Sequence, residues 1–265
     1  MSWGVSDLTV RFGHKVALDH VSLELEPGVV HVVVGGDGAG KTTLLRVFAG
    51  IGLDHDGVLR LPGPGRTGYV PPQGGVFADL TVEENMEFIA DAYRLTDWKA
   101  RAGTLLERSA IADFGDRLAG HLSGGQRRKL AGSMALLPQP DLLVLDEVTT
   151  GVDPVSRMDL WRLIAGAAAG GAAVLVATSY LDEAERAGEV LLLHDGAPLA
   201  AGSPEEVRAA MKGSVSDVTV PDDPNVAWRH GRRWRQWHPD GPHRLDTTLE
   251  DVAIVAELQA VGGVA

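Results

Sequence analysis

The stretch GGDGAGKTT, beginning at Gly35, combines flexible backbone, a lysine and paired hydroxyls at a spacing suited to phosphate. Gly35, four residues, Gly40, Lys41 and Thr42 form the phosphate-loop pattern. Gly35, Gly38 and Gly40 let backbone N–H groups converge on phosphate oxygens, and the helix that follows adds a favourable dipole. Lys41 is the candidate cation for the outer phosphates. Thr42, beside Thr43, is the candidate hydroxyl for Mg²⁺. A second group lies in LLVLDE, where Asp146 ends an apolar run and Glu147 follows it. Asp146 is placed to hold Mg²⁺ through water, and a carboxylate at Glu147 can orient and deprotonate an attacking water. A strand ending in two acids means little by itself; paired with a phosphate loop it means nucleotide chemistry.

These residues need strands and helices to position them. VVHVVVG from Val29, DLLVLDE from Asp141, AAVLVATS from Ala172 and EVLLLHDG from Glu189 are short apolar runs that predict strands buried on both faces. Helical segments between them predict a mostly parallel sheet with crossover helices. DLTVRF and VSLELEPG alternate and predict antiparallel strands. From about Thr81 to Leu137 the pattern is helical, interrupted at Gly124 and Gly125. After Lys212 short strands and turns are expected, then an amphipathic helix in TLEDVAIVAELQA with Thr248 as N-cap and Asp251 at the capping-box position.

The stretch LSGGQRRKLAGSMALLPQPDLLVLDE, from Leu122, lies downstream of the phosphate loop and runs into the Asp146 strand. It resembles the signature of ABC ATPases, and the resemblance covers about residues 5–210. Ser123, Gly124, Gly125 and Gln126 open a helix with Leu130, Met134 and Leu137 on one face, which makes a second anion site. The plainer alternative there is a helix cap. The resemblance implies that this second site faces the outermost phosphate held by another cassette, in a head-to-tail dimer. It likens Phe12 to the aromatic that stacks on adenine, and Asp153 in TGVDP to the acid of a loop touching the opposite cassette. ADLTVEENMEF resembles the start of a helical subdomain, and TLEDVAIVAEL a terminal helix common in ATPase subunits of small-molecule exporters. The implied fold is α/β: a phosphate-loop cassette over residues 1–212, with an antiparallel flank and an inserted helical subdomain at about 74–137. A small appendage occupies residues 213–265.

Departures from the family pattern gather around the nucleotide. Ser179 stands where a histidine is expected to contact the outermost phosphate, and Val148 where proline is usual. In GYVPPQGGVFADLTV the expected glutamine slot holds Pro72; Gln73, the candidate catalytic and Mg²⁺-contacting residue, comes one position late and serves only if the loop shifts. DHDGVLRLPGPGRTGYV is shorter than the usual antiparallel subdomain. The expectation is a chain that binds MgATP and turns it over slowly at its own site, while its LSGGQ completes a site on a partner. That partner is a second cassette, in a homodimer or an unequal pair, and a separate transmembrane permease is driven. The alternatives are a soluble ABC ATPase without a transport role and a regulatory nucleotide-binding subunit.

Composition narrows the field further. With no cysteine there is neither a disulfide framework nor a thiolate metal site. A net charge of −12 argues against a general phosphate-backbone binder, so no nucleic-acid partner is expected. WRHGRRWRQWH interleaves tryptophan with arginine, but a hairpin turning at His230-Gly231, with tryptophans packed inward and arginines solvated, explains it more simply. His31 reads as a core residue within its strand. The start lacks a signal-peptide pattern, and the uncharged run from Leu163 to Leu181 is broken by glycines. A cytoplasmic protein, peripheral at the inner face of the membrane through its permease, is the expectation.

Overall fold

The computed structural model describes residues 2–241 and 247–262. Two strands open the chain, β1 (Trp3–Phe12) and β2 (Lys15–Leu25), followed by β3 (Val30–Val34), α1 (Lys41–Phe48), β4 (His55–Arg60) and β5 (Thr67–Val70). A helical stretch holds α2 (Val82–Ala92), α3 (Trp98–Arg108) and α4 (Gly124–Leu136). Next come β6 (Leu142–Asp146), α5 (Pro154–Ala169), β7 (Ala173–Thr178), α6 (Leu181–Ala184), β8 (Glu189–His194), β9 (Ala197–Gly202) and α7 (Pro204–Ala209). The chain ends with β10 (Ser214–Val218), β11 (Ala227–His230), β12 (Arg233–His238) and α8 (Leu249–Gly262).

A six-stranded sheet in the order β5-β6-β7-β3-β8-β9 forms the centre; only β9 runs antiparallel to its neighbour. Its strands are apolar along their length because both faces are covered. Val33, Val144, Leu175 and Leu191 point to one core, shared with α1 and the antiparallel sheet β2-β1-β4. Val32, Val34, Leu145, Val176 and Leu192 point to the other, shared with the helices. Period-two alternation thus serves two cores from one sheet. The short segment DHDGVLRLPGPGRTGYV contributes β4 to the antiparallel sheet and β5 to the edge of the central one.

Three short strands, β10-β12-β11, form a separate antiparallel sheet beyond Lys212. The hairpin of β11 and β12 pairs His230 with Arg233, so its loop is Gly231-Arg232, one residue later than expected. Gly231 takes the positive φ of 61° that this tight turn needs. Trp237 is buried and donates to the Lys212 carbonyl at 3.0 Å. The arginines are not all solvated: Arg235 is mostly enclosed between Asp217 and Asp251. Tertiary packing from α8 supplies that second acid, which a reading of the hairpin alone could not include. Thr248 and Asp251 make the reciprocal cap at the start of α8, at 3.2 and 2.8 Å. Residues 242–246 and 263–265 of the expected appendage lie outside the described residues. His31 is buried, and desolvation holds its imidazole below the ordinary histidine range. Among the described residues, no helix is long and apolar enough to cross a membrane.

Candidate functional site

The segment between β3 and α1 turns tightly because its glycines permit it. A Cβ on Gly35 would fall 2.3 Å from the Leu193 carbonyl oxygen and 2.8 Å from the Ala39 side chain. Gly40 is the N-cap of α1 at φ 101°, a region closed to most residues. Gly38 also has a positive φ, 82°. Gly35→Ala should therefore destabilise the fold by about 1–3 kcal/mol, because the collision is with backbone that cannot swing away. Thermal unfolding followed by circular dichroism checks it; an unchanged Tm would contradict the close approach.

Lys41 begins α1 with its side chain 5% exposed. Its Nζ donates to the Gly35 and Gly36 carbonyls at 2.8 and 3.0 Å, and lies 3.4 Å from Glu147 Oε1. Thr42 Oγ1 donates to Asp146 Oδ1 at 3.2 Å. The other Asp146 oxygen is buried without a hydrogen-bond partner, and desolvation is the main cause that pushes this carboxyl above its ordinary range. A buried, unsatisfied carboxylate oxygen beside a threonine hydroxyl is an oxygen-only donor set, and it fits a hard divalent cation such as Mg²⁺. Glu147 adopts φ 51°, the left-handed region, fixed by its N–H bond to the Ala177 carbonyl at 3.1 Å. That conformation costs of order 1–3 kcal/mol in a non-glycine residue and turns Glu147 out of the strand beside Asp146.

Lys41, Thr42 and Glu147 border a cavity of about 500 Å³ whose lining also includes Phe12, Lys15, Asp37, Gly38, Gly40, Thr43 and Pro72; Asp146 lies behind Thr42. Phe12 ends β1 with half its surface exposed, so its ring is free to stack. Pro72 lines the cavity whereas Gln73 is exposed and outside the lining. Arg128 of α4 donates to the Pro72 carbonyl, tying this loop to the signature helix. Ser179 does not line the cavity either. It borders a neighbouring space of about 310 Å³ between Gly35–Asp37, the end of β8 and α8, and its Oγ is 3.4 Å from Lys41 Nζ. Val148 is buried in the helix-side core.

The signature residues form a separate group. Ser123 caps α4: its Oγ accepts from Gln126 N at 3.2 Å, and Gln126 Oε1 accepts from Ser123 N at 2.9 Å. Ser123 and Gly124 are exposed, and Leu130, Met134 and Leu137 are buried beneath them. Asp153 caps α5 by accepting from Val155 N and Ser156 N at 3.1 and 3.0 Å, and the Ser156 bond holds its carboxyl below the usual range. A Cβ on Gly125 would meet Ser156 at 2.7 Å and Asp153 at 3.2 Å, so the two helix starts abut. Neither Ser123–Gln126 nor Asp153 borders the Lys41 cavity.

Sequence reasoning missed Glu183. It is wholly buried and accepts from Thr149 Oγ1 at 2.8 Å, Thr178 Oγ1 at 2.7 Å and Trp161 Nε1 at 3.2 Å. Its only signal was an acid on a short helix after a buried strand.

Comparison with known proteins agrees with this arrangement. Residues 18–150 match the family model described as ABC transporter. The chain is 40% identical over 228 residues to the probable multidrug ABC transporter ATP-binding protein YbhF of Escherichia coli (strain K12), covering 80% of this chain but only 39% of that relative's length. It is 34% identical over 223 residues to the daunorubicin resistance ATP-binding protein DrrA3 of Streptomyces coeruleorubidus, covering 79% of this chain and 71% of the relative. With the Nod factor export ATP-binding protein I of Burkholderia pseudomallei (strain 1710b) it shares 35% identity, over 80% and 74% of the two chains. A solved ATP-binding subunit of an ABC transporter superposes with a TM-score of 0.72 at 26% identity, covering 79% of this chain and 92% of the other. An ATP-binding cassette in its ADP conformation gives 0.67 at 26% identity, over 78% and 92%. With a phosphate loop, a strand-end acid pair and a capped LSGGQ helix set in this sheet, these matches place the chain in the family of ABC transporter ATP-binding proteins.

Proposed function

We propose that this chain is the ATP-binding subunit of an exporter, coupling MgATP binding and hydrolysis to a separate transmembrane permease. The observation that carries the reading is the convergence of Lys41, Thr42 and Glu147 on one cavity, with Asp146 bonded to Thr42 behind its wall. The Nod factor export name of one relative and the daunorubicin resistance name of another support the direction of transport.

In this reading Lys41 exchanges its loop carbonyls for the outer phosphates, and N–H groups of the loop and of the start of α1 hold the phosphate oxygens. Phe12 stacks on the base, and Gly35, Gly38, Gly40 and Thr43 shape the cradle. Thr42 and Asp146 would hold Mg²⁺, which would supply positive charge against the phosphates. Gln73 joins them only if its loop moves, because Pro72 occupies the cavity wall. Glu147 orients the attacking water and takes its proton. Ser179, 3.4 Å from Lys41, is too short to replace a histidine's reach, so turnover at this site is slow while binding is retained.

The signature group serves a second cassette. Ser123 and Gly124, the exposed part of the Ser123–Gln126 helix start, face a nucleotide held by the other chain, with Gly125 buried behind them and Asp153 packed beside it. The chain then sits at the inner face of the membrane through its permease. Ser123→Arg should leave ATP binding by the isolated chain intact yet block ATP-dependent dimerisation, because a bulky cation fills the helix start. Sedimentation in a Glu147→Gln background tests it: a double variant that still dimerises with ATP as well as Glu147→Gln alone refutes the cross-chain role.

A further inference from the structure

Arg157 lies on α5, four residues beyond the N-cap Asp153. Its Nε is 2.8 Å from Glu183, a second guanidinium nitrogen engages Asp182, and the group sits 5.1 Å from the Tyr180 ring centre. One side chain of α5 therefore grips the turn that follows Ser179. Glu183, reached by that grip, also holds Thr149 and Thr178. Thr149 stands two residues after Glu147, and Thr178 immediately precedes Ser179. A single buried carboxylate thus ties three segments: the turn carrying Glu147, the turn carrying Ser179, and the helix that Asp153 caps.

The distribution of burial indicates which bond is adjustable. Glu183 is fully enclosed, so its two hydroxyl bonds and the Trp161 bond are internal to the core. The Arg157 side chain is 24% exposed and Asp182 is 63% exposed, so this end of the network opens to the surface that bears Asp153. A fully desolvated carboxylate needs its cation, and moving the start of α5 changes how that cation is met.

We propose that Arg157 is a positioning residue that transmits contact at the Asp153 loop to Glu147 and Ser179 through Glu183. The inference rests on the proposed function, deepening it by naming how a second chain regulates the same site. Contact with that chain sets the start of α5. Arg157 then fixes the Tyr180–Glu183 turn, and Glu183 fixes Thr149 and Thr178 on either side of the reacting groups. Arg157 itself touches no nucleotide and lies outside the Lys41 cavity.

A merely structural ion pair would lower stability alone, so the test separates rate from folding. Arg157→Met and Arg157→Lys are compared with the full-length wild type for MgATP affinity by calorimetry, single-turnover hydrolysis, the ATP dependence of dimerisation and Tm. Arg157→Met should keep its affinity within about twofold and lower the single-turnover rate per folded molecule by roughly ten- to a hundredfold, the scale of a small misplacement of reacting groups. It should also raise the ATP concentration needed for half-dimerisation. Arg157→Lys, which keeps the charge without the fork, should recover part of the rate. A lower Tm with an unchanged rate per folded molecule overturns the proposal, as does loss of affinity in proportion to rate. If Arg157→Met does not fold, Asp182→Asn gives the same reading at an exposed position: a reduced rate supports the link and an unchanged rate overturns it. Glu147→Gln, run alongside, keeps the two claims apart. If it fails to reduce hydrolysis, the proposed site is wrong; if it does while the Arg157 and Asp182 variants match wild type, only the link is wrong.

Discussion

Lys41→Ala is expected to weaken MgATP binding by roughly a hundredfold, the upper range for a charged hydrogen-bond donor lost from an enclosed site. Its Nζ is the cation nearest the phosphate loop and is held there by the Gly35 and Gly36 carbonyls. Alanine removes the charge and leaves those carbonyls without that donor, while Glu147 loses a positive neighbour 3.4 Å away. The acidic pair Asp146 and Glu147 then faces the incoming phosphates with less compensation, so the penalty exceeds that of a neutral hydrogen bond. Calorimetry on wild type and variant, with Tm as a folding control, measures it. An unchanged affinity in a folded variant removes Lys41 from the site.

Ser179→His should raise single-turnover hydrolysis, and Glu147→Gln should remove the gain along with the basal rate. A missing transition-state hydrogen-bond donor costs roughly 10²–10³ in rate, which bounds what the histidine can restore. The restoration should be partial, because Pro72 rather than Gln73 lines the cavity and Val148 replaces proline beside Glu147. A general base contributes roughly 10²–10⁴, so Glu147→Gln should take the rate down by that order in either background. Single-turnover assays on the chain alone and with any partner cassette give both numbers. A wild-type homodimer already as fast as histidine-bearing relatives refutes the slow site, and a Glu147→Gln variant that still hydrolyses at the wild-type rate refutes the base.

Much of the architecture was legible because its causes are local. Short, mostly apolar and β-branched runs such as Val30–Val34 and Ala173–Thr178 predict strands covered on both faces, and they are. Thr248 and Asp251 cap a helix through bonds spanning three residues. The Trp and Arg hairpin was legible as a hairpin, but its loop fell one residue later and Arg235 turned inward. The acids that hold Arg235 come from the neighbouring strand and from α8, outside the hairpin's own loop. Glu183 was illegible for the same reason: Thr149, Trp161 and Thr178 reach it from three separate segments.

For the candidate site the division follows the range of the forces. The sequence alone determined the phosphate-loop glycines with Lys41 and Thr42, the strand-end acids Asp146 and Glu147, and the Ser123–Gln126 helix start, because each is a backbone conformation or cap closed within a few residues. It also determined that Ser179 stands at the end of an apolar strand. Only the tertiary structure decided that Thr42 meets Asp146 from another strand, that Pro72 rather than Gln73 faces the cavity, and that Ser179 approaches Lys41 from behind the loop. Those placements depend on sheet order, which sets β3 between β7 and β8, and on which side of each strand end the chain turns. Loop direction and strand order are fixed by packing of two cores against one sheet, a cooperative balance of burial that no short window of sequence contains.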